Sequence, residues 1–465
     1  MRRLVAVLLI VLLGNAVAIE APAQGTYNPK ASGKDYYYDP GLKGEEINVV
    51  LYEGPGTEHM KPYIPAFQQA TGIKVNIIEI AEANLVEKEV LDLQSKAGAY
   101  DIVQTTQDGA GVARFASAGW IEPLSPYLDK TPDSFAYQSD FAPAVRAATS
   151  WPYRGIPVPA DAKPYALMQE LTTRIFVYRR DLLSDPQEKA AFQKKYGYAL
   201  GVPATTKQLR DVAEFFTRPT KGVYGISFEG ARDLQLYAVW VHFLWAFGGE
   251  EWNPANYQPT LDTPQAVNAT EFYLALSKFT PPGHGSASLP EAVEAFAQGK
   301  AAMSIIWGPT YGWAGEKPKS TVAGKVGFGE IPGAKRYLVA GVGMGISKFS
   351  KSPRKKDASW SFISFMLSPT VQRKMQLDGN AGPRLSVLKD RAIAAKRPAE
   401  TLSGELAATK GHAWAMAGGV GQQFVDIVVT NLSKAVAGQT DAHGAMISAQ
   451  KETTGLFTDA GLLKK

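Results

Sequence analysis

The chain has 465 residues, 45% of them hydrophobic and 20% charged, with a net charge of +5. That composition supplies real cores and a soft expectation of two or three domains; the basic residues are dispersed apart from Arg354-Lys355-Lys356 beside Lys351, which reads as a solvated helix entry rather than a nucleic-acid patch. With no cysteine, thiol catalysis, thiolate metal sites, disulfides and thioether lipid anchors are excluded.

Residues 1–23 read as an export signal. Arg2-Arg3 is the charged start, residues 4–13 the apolar core, and Ala16-Val17-Ala18 or Ala21-Pro22-Ala23 the cleavage site. The apolar core is too short to span a bilayer, so the expectation is a soluble periplasmic protein, with full secretion as the alternative. Residues 24–44, containing Tyr36-Tyr37-Tyr38, form an extended lead-in whose tyrosines serve packing or a partner contact.

Residues 47–52 (INVVLY) are a buried strand. After the polar turn 53–57, Met60, Tyr63, Ile64 and Phe67 share a helical face that stops at Gly72. Pro62 and Pro65 predict a late start or a kink. Residues 74–80 alternate as a second strand. Asn84 with Glu87 has the capping-box spacing, and that helix stops at Gly98. Residues 101–103 are a third strand, followed by a small polar turn, 104–111, and a helix ending near Gly119. Strand and helix alternating at this spacing predict an α/β fold with a mostly parallel sheet flanked by helices. Ligands of such sheets bind beyond the strand carboxyl ends, here 53–58 and 104–111, although ordinary βα turns have the same look.

Residues 154–159 mark a boundary by their Pro and Gly. Residues 174–178 are a new apolar strand. A helix opens at 203–209, residues 224–228 are a short strand, and a strongly aromatic helix with Tyr237, Trp240, Phe243 and Phe247 ends at Gly248-Gly249. Helices follow from Thr263 and over 289–299, then a buried strand over 301–306. Trp307-Gly308-Pro309-Thr310-Tyr311-Gly312-Trp313 crowds three aromatics into one irregular turn, so some rings are expected to face a cleft. Residues 326–332 open a third region. Residues 341–346 are a glycine-alternating strand without a dinucleotide-binding G-x-G-x-x-G. A helix covers 355–367, Asp378 to Arg384 make a polar turn with one guanidinium, and the remainder is mainly helical.

The five histidines are far apart, and no zinc-protease, nucleophile-elbow or phosphate-loop motif is present. No catalytic residue, metal or cofactor is expected.

Several ordered motifs carry a resemblance. Residues 67–75 (FQQATGIKV), 100–103 (YDIV), 119–124 (GWIEPL), 176–182 (FVYRRDL) and 296–303 (FAQGKAAM) are similar to those of extracellular solute-binding proteins of ABC importers, the sugar-binding group that includes maltose-binding protein. The resemblance covers essentially the whole mature chain. It implies two α/β lobes closing by a hinge, a Venus-flytrap, with 45–150 plus 323–367 in the first lobe and 151–322 plus 368–465 in the second. It implies a monomer that binds a carbohydrate or polyol and delivers its ligand to the membrane subunits of an ABC permease; the dispersed charge already argues against a nucleic-acid partner. Sugar sites of this family combine carboxylates and amides with stacking aromatics.

Carried over by motif, the candidate ligand residues are Glu53 and Gly54, then Thr106, Gln107 and Asp108 in a turn longer than the family's. An acidic residue often stands six positions before the motif tyrosine; here that position is Thr172, and Glu170 lies eight before. Trp307, Tyr311 and Trp313 stand in for a stacking ring where the family position is Thr310. Asn380 and Arg384 fit the polar turn, and Trp240 joins the set from the aromatic helix. The rivals are a secreted carbohydrate-active hydrolase, or the same fold binding a phosphate ester, polyamine or metal.

Overall fold

The computed structural model describes residues 27–105, 110–153, 158–413 and 417–463; the expected signal segment lies outside them. The strands that organise it are β1 (Glu46–Tyr52), β2 (Lys74–Ile80), β3 (Ile102–Thr105), β4 (Leu167–Met168), β5 (Arg174–Arg179), β6 (Tyr224–Ser227), β7 (Ala301–Trp307), β8 (Val326–Gly329), β9 (Tyr337–Val339), β10 (Gly343–Ile346) and β11 (Gly411–Ala413).

The first lobe is built on the sheet β2-β1-β3-β10-β4. β1 runs parallel to β2, with Glu46 opposite Lys74 and Tyr52 opposite Ile80, and parallel to β3 through Val49 and Ile102. β10 returns antiparallel to β3, with Gly343 opposite Thr105, and β4 lies antiparallel to β10. Between β1 and β2 the expected kink is found. α1 (Pro55–Met60) passes into a tight turn at Lys61–Tyr63 and then α2 (Ile64–Thr71), capped by Gly72 at φ 71. The prolines have no N–H to continue the ladder, so the helix is broken where they fall. α3 (Glu82–Ser95) corrects the expected capping box: its N-cap is Ala81, and Asn84 already sits in the first turn, its N–H bonded to the Ala81 carbonyl at 2.8 Å. Lys96, at φ 57, ends it before Gly98. α4 (Ala110–Ser117) follows β3.

The second lobe has the sheet β8-β5-β7-β6. β5 is antiparallel to β7, with Arg174 opposite Trp307, while β6 and β7 are parallel. α5 (Leu234–Ala246) is apolar nearly all round and buried from Leu236 to Trp245, as a helix in the middle of a core must be. α6 (Leu289–Ala297) has the capping box Ser288–Glu291, and α7 (Tyr311–Gly315) is a single turn after β7.

Sheet membership moves the expected lobe boundaries. β4 belongs to the first sheet, so the chain first passes between lobes at 169–173, later than the Pro-rich stretch that ends at Val158-Pro159. β8 belongs to the second sheet, so the return comes at 340–342, beyond 323. α8 (Pro353–Met366) and α9 (Pro369–Leu377) both pack into the first core, through Trp360, Phe362, Val371 and Met375. The last passage is made by α10 (Pro398–Thr409), which gives Ala399 and Leu406 to the second core and Ala407 and Ala408 to the first, and by β11. α11 (Gly421–Val436) then completes the second core.

The lead-in is a strap on the first lobe. Tyr36 and Tyr37 are buried against α8; the Tyr37 N–H donates to Ser364 Oγ and Ser361 Oγ donates to the Tyr37 carbonyl, both at 3.0 Å. Among the described residues no helix is long and apolar enough to cross a membrane.

Candidate functional site

The end of β1 gathers the polar groups of the first lobe. The Gly56 N–H donates to Tyr52 Oη at 2.9 Å, and Tyr52 Oη lies 3.4 Å from Glu170 Oε2. The glycines permit this approach: a Cβ on Gly54 would fall 2.0 Å from the Tyr52 ring, and one on Gly56 2.8 Å from Glu170 Oε2. Thr57 Oγ1 donates to the Tyr52 carbonyl at 2.6 Å, pinning the turn from below. Glu53 is exposed and Gly54 half-buried at the same rim.

Beside it, the Tyr52 N–H donates to Gln104 Oε1 at 2.8 Å, and the Gln104 N–H to Glu89 Oε1 at 2.7 Å. Burial pushes the Glu89 carboxyl well above the ordinary carboxylate range against the opposing bond from Gln104. Gln104 is thus a buried strut in β3, where the sequence predicts a polar turn. Thr106, Gln107 and Asp108 lie outside the described residues.

Glu170 stands on the first passage between the lobes, next to the second. The Glu170 N–H points to the Val342 carbonyl at 3.3 Å, and the Leu171 N–H to the Ala381 carbonyl at 2.6 Å. Gly341 has φ 136, and a Cβ there would fall 1.8 Å from the Glu170 carbonyl oxygen, so only glycine fits. Thr172 is 7% exposed, with Oγ1 3.2 Å from Ser403 Oγ. Asn380 is 3% exposed and donates to the Gln169 carbonyl at 3.4 Å. Both therefore belong to the packing of the hinge, directly behind Glu170.

The second lobe brings Trp307 to the carboxyl end of β7 as floor rather than wall. Its indole N–H donates to Gln235 Oε1 at 2.7 Å, the same oxygen that accepts from Arg174 Nη2 at 2.7 Å. The Arg174 guanidinium lies 4.6 Å from the Trp307 ring centre and pairs with Glu229 at 3.0 Å, both side chains fully buried. Burial raises the Glu229 carboxyl despite that partner. Tyr311 and Trp313, two residues apart on one helical turn, point to opposite sides. Tyr311 meets the Phe328 ring edge-on at 5.3 Å, and Trp313 donates to Glu294 Oε2 at 2.9 Å. The structure does not bring the two rings together.

Two candidates are enclosed in cores. Trp240 is fully buried in α5, its indole N–H bonded to Thr270 Oγ1 at 2.9 Å. Arg384 is fully buried, donating to Asp140 Oδ2 at 2.8 Å and to the Leu367 carbonyl at 2.6 Å, with the Phe135 and Phe141 rings 4.6 Å from its guanidinium. Neither is reached from solvent.

Sequence reasoning missed Tyr52, Gly56 and the turn Gly418–Val420. That turn, which belongs to the second core through Ala417 and Val420, packs on α4 of the first lobe, and Gly418 lies beside the Trp151 ring. Gly418-Gly419 after a short strand was its available signal.

A half-buried carboxylate on the hinge, held by a buried phenol beside a glycine turn, is suited to accept from ligand hydroxyls or amines. The chain matches the model of the bacterial extracellular solute-binding proteins over residues 53–373. It is 26% identical over 359 residues, 76% of each chain, to a probable amino-acid ABC transporter periplasmic-binding protein of Sinorhizobium fredii. Its fold is similar to that of an Agrobacterium radiobacter K84 ABC solute-binding protein in complex with ribitol, with TM-score 0.73, 23% identity, and 90% of this chain and 100% of that chain covered. It is also similar to maltose-bound MalE3 of T. maritima, with TM-score 0.72, 22% identity, and 89% and 100% covered. The two-lobed α/β architecture is common to them, and the chain belongs to the bacterial extracellular solute-binding proteins.

Proposed function

We propose that this protein binds a carbohydrate or polyol in the cleft between its lobes, closes on it about the passages at 169–173 and 340–342, and delivers it to the membrane subunits of an ABC permease. It does so as a periplasmic monomer and without turning the ligand over. The observation that carries the reading is Glu170, half-buried on the first passage between the lobes and met by the buried Tyr52 hydroxyl against the Gly56 turn, a carboxylate placed to accept from ligand hydroxyls. Arg174 and Arg384, guanidiniums that a carboxylate or phosphate ligand would want, are both committed to buried ion pairs.

A second reading, an amino-acid ligand, is favoured by the Sinorhizobium relative's name; Glu170 would then take the ammonium group. A thermal-unfolding panel of sugars, polyols and amino acids decides between them. A ligand at 100 times its dissociation constant adds about 2.7 kcal/mol, roughly 5–10 °C for domains of this size. A shift with amino acids and none across a diverse sugar and polyol panel would overturn the carbohydrate reading. Release of dye from chromogenic glycosides would overturn the binder in favour of the hydrolase.

A further inference from the structure

Away from the hinge, one carboxylate oxygen each from Glu250 and Glu251 and one imidazole nitrogen of His412 lie within 4.8 Å of one another. They come from separate parts of the chain: the loop after α5, and the middle of β11, where His412 pairs in register with Leu338. Glu251 is 4% exposed, and each of its oxygens already accepts one bond, from Tyr237 Oη at 2.8 Å and from Trp245 Nε1 at 3.0 Å. A carboxylate has about four lone-pair sites, so acceptor capacity remains beside these bonds and that from its own backbone N–H. Hydrogen bonds of this kind orient metal-binding carboxylates. The His412 ring is fixed edge-on to Trp245, 5.0 Å between centres.

A separate observation marks the same place. Tyr153 is 7% exposed and its hydroxyl, though close to the Ala413 backbone next to His412, has no hydrogen-bond partner of normal geometry. It lies within the fields of both Glu251 and Glu250. A buried hydroxyl with at most a poor backbone partner, near two carboxylates, leaves room for a polar occupant.

The geometry points to a divalent-cation site of the zinc class, held by Glu250, Glu251 and His412, that fastens β11 to the second lobe. Two carboxylates and one imidazole supply three ligands and leave a fourth position for water. Calcium would want six to eight oxygens, and the imidazole suits a transition metal better. Arg336 pairs with Glu250 and competes for it, which holds the affinity down.

The full chain, freed of metal by chelator and dialysed, should be titrated with zinc chloride by calorimetry and melted with and without zinc. One saturable zinc and a higher melting temperature are expected. His412→Gln should weaken zinc at least about tenfold, and Arg336→Gln should tighten it. If His412→Gln does not fold, Glu250→Gln at the half-buried ligand carries the same test. Absence of saturable zinc uptake by the wild type overturns the site, and so does undiminished zinc binding by a folded ligand variant.

Discussion

The backbones of Thr172 and Ala340 donate to each other: the Thr172 N–H to the Ala340 carbonyl at 2.9 Å, and the Ala340 N–H to the Thr172 carbonyl at 3.0 Å. Two passages between the lobes are thereby joined at one point and must bend together. Gly341, immediately after this pair, has the φ of 136° that a side chain rarely adopts and no room for a Cβ. Gly341→Ala should cost about 1–3 kcal/mol from backbone conformation alone, and more from the clash with Glu170. Denaturant unfolding of the unliganded protein measures it; an unchanged midpoint would show that the junction relaxes freely.

Glu170→Gln removes the charge of the carboxylate proposed to meet ligand while keeping its size. With hydrogen bonds to a charged group contributing about 1.5–3 kcal/mol, affinity for the ligand found in the thermal panel should fall about 10- to 100-fold. The unliganded melting temperature should stay close to wild type. Titration calorimetry beside melting reads both, and unaltered affinity would remove Glu170 from the site.

Trp307 and Tyr311 should separate. Trp307 is 6% exposed and shares Gln235 with Arg174, so Trp307→Ala should lower unliganded stability by about 3–5 kcal/mol. Tyr311 is half-buried and its removal should cost less. If Tyr311 stacks on ligand, Tyr311→Ala weakens binding several-fold, in line with about 1 kcal/mol for an aromatic contact. A Trp307→Ala protein of wild-type stability and lost affinity would place the indole against the ligand instead.

Glu188 offers a pH test. The Arg218 guanidinium bonds both of its oxygens, at 2.5 and 2.6 Å, and these bonds hold its carboxyl below the ordinary range. A folded pKa below the unfolded one gives stability that is present above the unfolded value, about 4.3, and lost as pH falls through the folded value. Glu188→Gln should therefore cost up to about 1 kcal/mol at pH 7, and the gap to wild type should close in acid. A gap that persists below pH 3 would mean that the glutamine perturbs packing rather than charge.

Much of the fold was legible because its signals are local. β1 and β5 stand out as apolar runs, Pro62 and Pro65 break their helix, and Gly72 ends it. The lobe boundaries were not, because β4 and β8 are too short to announce which sheet they join. Arg384 looked available because its partner, Asp140, is distant in the chain and only the fold brings it near. Trp240 looked like a stacking ring because a buried indole and a cleft indole have the same letter; Thr270, on the neighbouring helix, decides which it is. Of the candidate site, Thr172 and Glu170 were both legible from their spacing to the motif tyrosine; in the fold Thr172 packs on Ser403 and Glu170 meets Tyr52.

The strap formed by Tyr36 and Tyr37 ties the first described residues to the first lobe, whereas Leu462 and Leu463, the last described residues, rest on the second core. The two ends of the described chain therefore ride on different bodies. A donor dye placed ahead of Tyr27 and an acceptor placed behind Leu463 would form a molecular ruler between them, and energy transfer along it would report each opening and closing without a label near the cleft.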